Sequence, residues 1–214
     1  MPQISYPVRA NAKYTVVNFG CGPYPSPDCI NLDGSPTVLL AKLPLPASAF
    51  GKRAEFVRVV REHRVQYGLA TKLSFPPNSL DAFYTSHTLE HLPPRQCKLL
   101  LERVLVWLKP SGILRVALPD LKKLAAEYVA DQIDANEFVA RTHLAKGDLP
   151  PWVFVISHAR HQHMYDSESF HTLLCSVGYQ HVAASPFRES RIRDIESLDL
   201  DCRRWDSFYV EAVK

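Results

Sequence analysis

No Cys-x-x-Cys pair occurs in this chain. Its five cysteines, Cys21, Cys29, Cys97, Cys175 and Cys202, are odd in number and widely spread. That spacing excludes a disulfide framework and a zinc knuckle and fits a reducing, cytoplasmic compartment. No run approaches the roughly 18 apolar residues of a membrane span. The opening Met-Pro-Gln-Ile-Ser-Tyr-Pro-Val-Arg lacks the apolar centre of a secretory signal. Excess charge is also scarce: a net +3 over 214 residues gives nucleic acid no footing. Nothing repeats, and no low-complexity linker divides the chain. What is present, 46% hydrophobic and 22% charged residues, suits one α/β domain over 1–214, able to bury a core without staples.

The stretch from Thr15 to Pro36 organises the rest. Val16, Val17 and Phe19 form a short run that breaks at Gly20 and Gly22, the pattern of a buried strand entering a glycine turn. A second run, Ile30 to Leu32, ends in Asp33, which places a carboxylate at a neighbouring strand tip, able to accept bonds from a ribose diol. Again an absence decides the ligand. A dinucleotide fingerprint needs a third glycine and helix N–H groups for pyrophosphate, but Pro23, Pro25 and Pro27 follow here and have no N–H. S-adenosylmethionine, an adenosine carrying a sulfonium amino acid and no phosphate, fits such a loop.

With Gly-Cys-Gly, a proline-rich turn and Asn31-x-Asp33, the stretch resembles the class I S-adenosylmethionine-dependent methyltransferases, specifically the small type 11-like group. The resemblance implies a Rossmann-like, seven-stranded, mostly parallel sheet with its last strand antiparallel and helices on both faces. It also implies a methyltransferase that turns S-adenosylmethionine into S-adenosylhomocysteine. Phe19, Gly20, Cys21, Gly22, Asp33, Gly34, Gly68, Leu69, Ser86 and His87 would then hold the cofactor. The family commonly has an acid just before Leu69; Gly68 stands there, so adenine would rest on backbone and packing.

Further segments carry the same resemblance: Leu73 to Asp81 before the fourth strand (Leu80 to Tyr84), Leu108-Lys-Pro-x-Gly112 before the fifth (Ile113 to Leu118), His161-x-x-Met-Tyr-Asp166, and Ser207 to Ala212 in the last strand. Helices are expected over Lys52 to His63, Arg95 to Leu108 and Ser167 to Val177, the last closed by Gly178. A third strand is expected at Val65 to Leu69 and a sixth at Tyr179 to Ala184. Residues 1 to 13 read as a loosely docked entry, and 188 to 204 as a connection whose charges cancel. Insertions near 38–64 and 131–157 would form a lid or the acceptor site.

Two histidine groups invite a metal reading. His87-x-x-Glu90-His91 matches the inverted zinc-protease signature, the basis of a zinc-dependent hydrolase alternative. His87 follows a strand too closely, however, and Pro93-Pro94 cuts the helix short. In the resembling family, Ser86 and His87 line the cofactor pocket while Glu90 and His91 fix the turn by hydrogen bonds. His158, His161 and His163 have no acidic or cysteine partner at helpful spacing. No metal is therefore expected.

Methyl transfer to a hydroxyl needs a base, and histidine titrates in the useful range. The candidates are His161, then His163, Tyr165 and Asp120, although Asp120 also stands where it would cap the helix that follows. The acceptor is expected to be a small molecule or saccharide. A peripheral or lipid-linked substrate stays open, and the Asn-Pro-Pro-Tyr box of amino-group methylases is absent. A non-catalytic S-adenosylmethionine-binding module and a nicotinamide-dependent dehydrogenase are the rival classes.

Overall fold

A computed structural model describes residues 4–6, 14–143 and 160–214. The elements are β1 (Ile4–Ser5), β2 (Val16–Phe19), β3 (Cys29–Asp33), α1 (Pro36–Leu40), α2 (Ala54–Glu62), β4 (Gln66–Tyr67), β5 (Leu73–Ser74), β6 (Leu80–Ser86), α3 (Pro94–Trp107), β7 (Leu108–Pro119), α4 (Leu121–Val129), α5 (Ala135–Thr142), α6 (Ser167–Val177), β8 (Gln180–Ala184) and β9 (Ser207–Val213). Seven strands form one sheet in the order β4-β3-β2-β6-β7-β9-β8. Only β9 runs against its neighbours, β7 and β8. This is the expected Rossmann-like sheet.

Every residue of β2 is buried, because the sheet is covered on both faces. α3 turns Cys97, Leu100, Leu101, Val104 and Trp107 inward at helical spacing and packs on that sheet. α6 opens with a capping box between Asp166 and Ser169 and closes on Gly178 in the left-handed region, so its ends are fixed by local chemistry.

Three local expectations are corrected. The entry segment is not loose throughout: β1 pairs with β5, and Tyr6, only 3% exposed, enters the core. β7 begins at Leu108 rather than Ile113. Leu80 pairs with Leu108 and Ala82 with Ile113, so residues 109–112 form a bulge within the strand, with Ser111 at positive φ. The 188–204 segment is more than a cancelling connection. Arg115, fully buried in the middle of β7, grips Asp199 through two bonds (2.5 and 3.2 Å) and also meets Glu211, Ser185 and the carbonyls of Pro186 and Glu189. That network pins the segment beside the sheet and brings Leu198, Leu200 and Arg203 to the carboxyl ends of the strands, where open α/β sheets bind ligands.

Candidate active site

A cavity of about 850 Å³ opens at those strand ends, within the range of small-molecule sites. The loop after β2 contributes Phe19, Gly20, Cys21 and Gly22; the tip of β3 contributes Asp33 and Gly34; Gly68 and Leu69 follow β4, and Ser86 and His87 end β6. The turn is drawn against β3 because Gly20 and Cys21 N–H both donate to the Leu32 carbonyl (2.8 and 3.1 Å). Gly20 has φ +75°, and a Cβ there would fall 1.9 Å from Thr88 Oγ1, so no larger residue fits. Asn31 holds the proline-rich loop: its side chain accepts from Ser26 N–H and Asn18 Nδ2 and donates to the Ser26 carbonyl.

Asp33 does two jobs. Its Oδ2 accepts Gly22 N–H (3.0 Å) and its Oδ1 accepts Ser35 N–H (2.7 Å), so the carboxylate ties the glycine turn to its own strand. Burial pushes its pKa upward, and these two bonds pull against that rise. A carboxylate offers about four lone-pair positions, so about two stay open toward the cavity for a diol. The fit to S-adenosylmethionine rests on that acceptor and on a turn whose prolines give phosphate nothing. Gly68 is closely packed: a Cβ there would meet Leu73 Cδ2 at 3.0 Å and the Tyr6 hydroxyl at 3.2 Å, so the family's acid would have to push these side chains aside.

A second, polar cavity of about 310 Å³ adjoins the first and shares His87, His91 and Arg203 with it. Glu90, Asp120, Arg141, His143, His161 and Asp206 also line it. The 160–166 strap is brought here by Gln162 and His163 N–H donating to the Glu90 carbonyl (2.7 and 3.2 Å) and by Leu121 N–H donating to Tyr165 (3.0 Å). Burial pushes Glu90 up to about 8, His87 down to about 3 and His161 down to about 4, the last helped by His91 and His143 nearby. Burial thus favours a protonated Glu90 carboxyl and neutral His87 and His161 rings.

The catalytic candidates are divided. His161 and Asp120 stand on the wall of the second cavity, and Asp120 accepts Lys123 N–H as the cap of α4. His163 is exposed, with its ring edge-on to Tyr165, and Tyr165 is buried in the core against Phe170. Neither lines the two cavities. Of the expected hydrogen bonds at Glu90 and His91, Glu90 makes its own through the main chain, and both of its carboxyl oxygens are buried without a hydrogen-bond partner among the described residues. The turn itself closes through His91 N–H donating to the Thr88 carbonyl and Leu92 N–H donating to the Leu89 carbonyl, while the Glu90 carbonyl holds the strap. His87-Thr-Leu-Glu90-His91 lies on no α-helix: Leu89–His91 is one 3-10 turn and His87 has φ +47°, so the zinc-protease geometry is not built. His158 and residues 144–157 of the expected insertion lie outside the described residues; 131–143 supply α5, Arg141 and His143. Arg203 and the Leu198–Leu200 wall were not foreseen, because they reach the site only through the buried Arg115.

A phosphate-averse glycine turn, a strand-tip acid and this strand order fit an S-adenosylmethionine-dependent methyltransferase domain. Residues 24–116 match the sequence family described as a methyltransferase domain. That match spans a little under half of the chain, and with the fold it is consistent with the class I S-adenosylmethionine-dependent methyltransferases, type 11-like group, whose cofactor is S-adenosylmethionine. A SAM-dependent methyltransferase of Thermotoga maritima is similar over 96% of this chain and 84% of its own, at 12% identity and TM-score 0.53. The protein crystallised with the Haloferax volcanii Trm112 methyltransferase activator is similar over 94% and 82%, at 14% identity and TM-score 0.50. Phosphoethanolamine N-methyltransferase 2 of Haemonchus contortus, in complex with S-adenosyl-L-methionine, is similar over 95% of this chain at 13% identity and TM-score 0.48; this chain spans 50% of that one. No curated protein matches the sequence.

Proposed function

We propose that the protein transfers the methyl group of S-adenosylmethionine to a polar small molecule or saccharide held in the 310 Å³ cavity, as a single cytoplasmic domain over 1–214. One observation carries this reading: the two cavities meet along His87, His91 and Arg203, so a donor in the larger and an acceptor in the smaller would be neighbours. Methyl transfer from a sulfonium is an in-line displacement, and alignment alone can supply on the order of 7–11 kcal/mol. The acceptor cavity is lined by Asp120, Lys123, Arg141, Arg203 and Asp206, both signs of charge interspersed, which favours a hydroxylated, hydrogen-bonding molecule over an apolar one.

The 38–46 segment does not wall that cavity. Pro36 and Thr37 line the cofactor cavity, as does Arg53, while Val38 is buried and Arg61 donates to the carbonyls of Ala41, Leu43 and Leu45. Among the described residues no helix is long and apolar enough to cross a membrane. The reading is tested by incubating the full chain with methyl-labelled S-adenosylmethionine and a panel of sugars and hydroxylated metabolites. Label transfer to one of them supports the enzyme. Tight S-adenosylhomocysteine binding with no transfer across the panel favours the non-catalytic module.

A further inference from the structure

We propose that Glu90, His91 and His161 form a binding site for a divalent transition metal of the zinc type, opening onto the acceptor cavity. Glu90 is about 1% exposed, and neither carboxylate oxygen has a hydrogen-bond partner among the described residues. A buried carboxyl whose two oxygens find no hydrogen-bond partner is costly and needs a reason. Its Oε1 lies 3.9 Å from His91 Nε2 and 3.8 Å from His161 Nε2. Those separations are too long for hydrogen bonds. They are close to the spacing of ligand atoms around a tetrahedral zinc, roughly 3.3–3.4 Å for bonds of about 2.0–2.1 Å. One ligand atom from each of the three residues falls within 4.8 Å of the others.

The outer contacts point the same way. His91 Nδ1 is 3.1 Å from the Arg160 carbonyl, which can only accept, so the proton sits on Nδ1 and the Nε2 lone pair faces Glu90. Metal-bound histidines are commonly oriented by such a bond on the far ring nitrogen. His161 Nδ1 lies 3.1 Å from Met164 Sδ and its ring also bonds the Thr142 backbone, while its Nε2 lies 3.8 Å from Glu90 Oε1. Two imidazoles and one carboxylate with a remaining open position are the donor set of catalytic zinc and of related divalent metals. All three residues line the 310 Å³ cavity, so the open position would meet an acceptor oxygen or nitrogen; this last point rests on the methyl-transfer reading, the site itself does not. Sequence spacing hid the set because Glu90 and His161 stand 71 residues apart and meet only when the 160–166 strap docks on the Glu90 carbonyl.

The test is titration of the chelator-treated full chain with Zn²⁺ by calorimetry and with Co²⁺ by visible absorption, alongside S-adenosylhomocysteine binding. The expected result is one ion per chain and a cobalt spectrum of low coordination number. Losing even an outer contact costs about 10–100-fold in metal affinity, so Glu90→Gln and His161→Ala should each lose about 100-fold or more. His171→Ala, which removes the exposed His171–Cys175 pair as a rival site, should bind like the parent chain. Circular dichroism establishes folding, and if a variant is unfolded the cobalt spectrum of the unaltered chain decides. No stoichiometric ion, an octahedral water-like cobalt spectrum, or loss of the ion in His171→Ala alone would overturn the site. Intact S-adenosylhomocysteine binding in that case leaves the methyltransferase reading standing, whereas metal binding without cofactor binding sinks that reading and not this one.

Discussion

Replacing Asp33 by asparagine separates the two jobs assigned to this carboxylate. The change keeps shape but leaves one acceptor oxygen where two backbone donors, Gly22 N–H and Ser35 N–H, now find one each. One of those donors would face an amide NH₂ and go unpaired, at about 1–3 kcal/mol of folding stability. For the ligand, two charge-assisted bonds to the ribose diol at about 1.5–3 kcal/mol each sum to about 3–6 kcal/mol, or about 10²–10⁴-fold in affinity. Calorimetry with S-adenosylhomocysteine reads the second quantity and thermal melting the first. The pH dependence has a definite sign. The folded pKa of Asp33 lies above its unfolded value, so the folded chain holds this proton more tightly and stability declines as pH rises through that interval. Relative to Asp33→Asn, the parent chain should therefore be most favoured at acid pH, below the ordinary carboxylate range, and progressively less so as pH rises through the raised pKa of Asp33. Binding of S-adenosylhomocysteine by Asp33→Asn within threefold of the parent would refute the role given to the strand-tip acid.

Other outcomes follow from the same geometry. Arg115→Met leaves the Asp199 charge buried with no cation and should cost about 3–5 kcal/mol in chemical denaturation, with Asp199→Ala milder because Arg115 keeps Glu211; a loss under about 1 kcal/mol in Arg115→Met would contradict the pinning role. Gly68→Asp restores the acid usual in the resembling family but drives a Cβ against Leu73 and Tyr6, so it should destabilise by about 1–3 kcal/mol; tighter S-adenosylhomocysteine binding would show that space is not the obstacle. His161→Ala should lower methyl transfer by at least about tenfold while changing S-adenosylhomocysteine affinity little, since its ring stands on the acceptor wall; unchanged turnover removes it from the reaction.

The fold was legible where one local pattern sufficed. The apolar run of Val16 to Phe19 breaking at Gly20, the helical spacing of Leu100 and Val104, and the Gly178 stop all act over a few residues, and each gave an element close to its observed bounds. Asp33 and the glycine turn were legible too, because a strand tip followed by a breaker places its side chain at the sheet edge. What escaped depends on contacts far apart in sequence. Arg115 reads as an odd charge in an apolar strand until Asp199, 84 residues on, closes over it. Tyr6 looks like part of a ragged entry until its hydroxyl reaches the Tyr67 carbonyl. Glu90 and His161 carry no shared motif, and His163 and Tyr165, adjacent to His161 in sequence, are turned to solvent and core by the same short strap.

The measurement that bears most directly on the whole account is the crystal structure of the full chain grown with S-adenosylhomocysteine. The account predicts the ribose hydroxyls on Asp33 and the thioether passing Gly20 and Gly22 toward the cavity shared with His87. Ligand density elsewhere, or none at millimolar ligand, would contradict it.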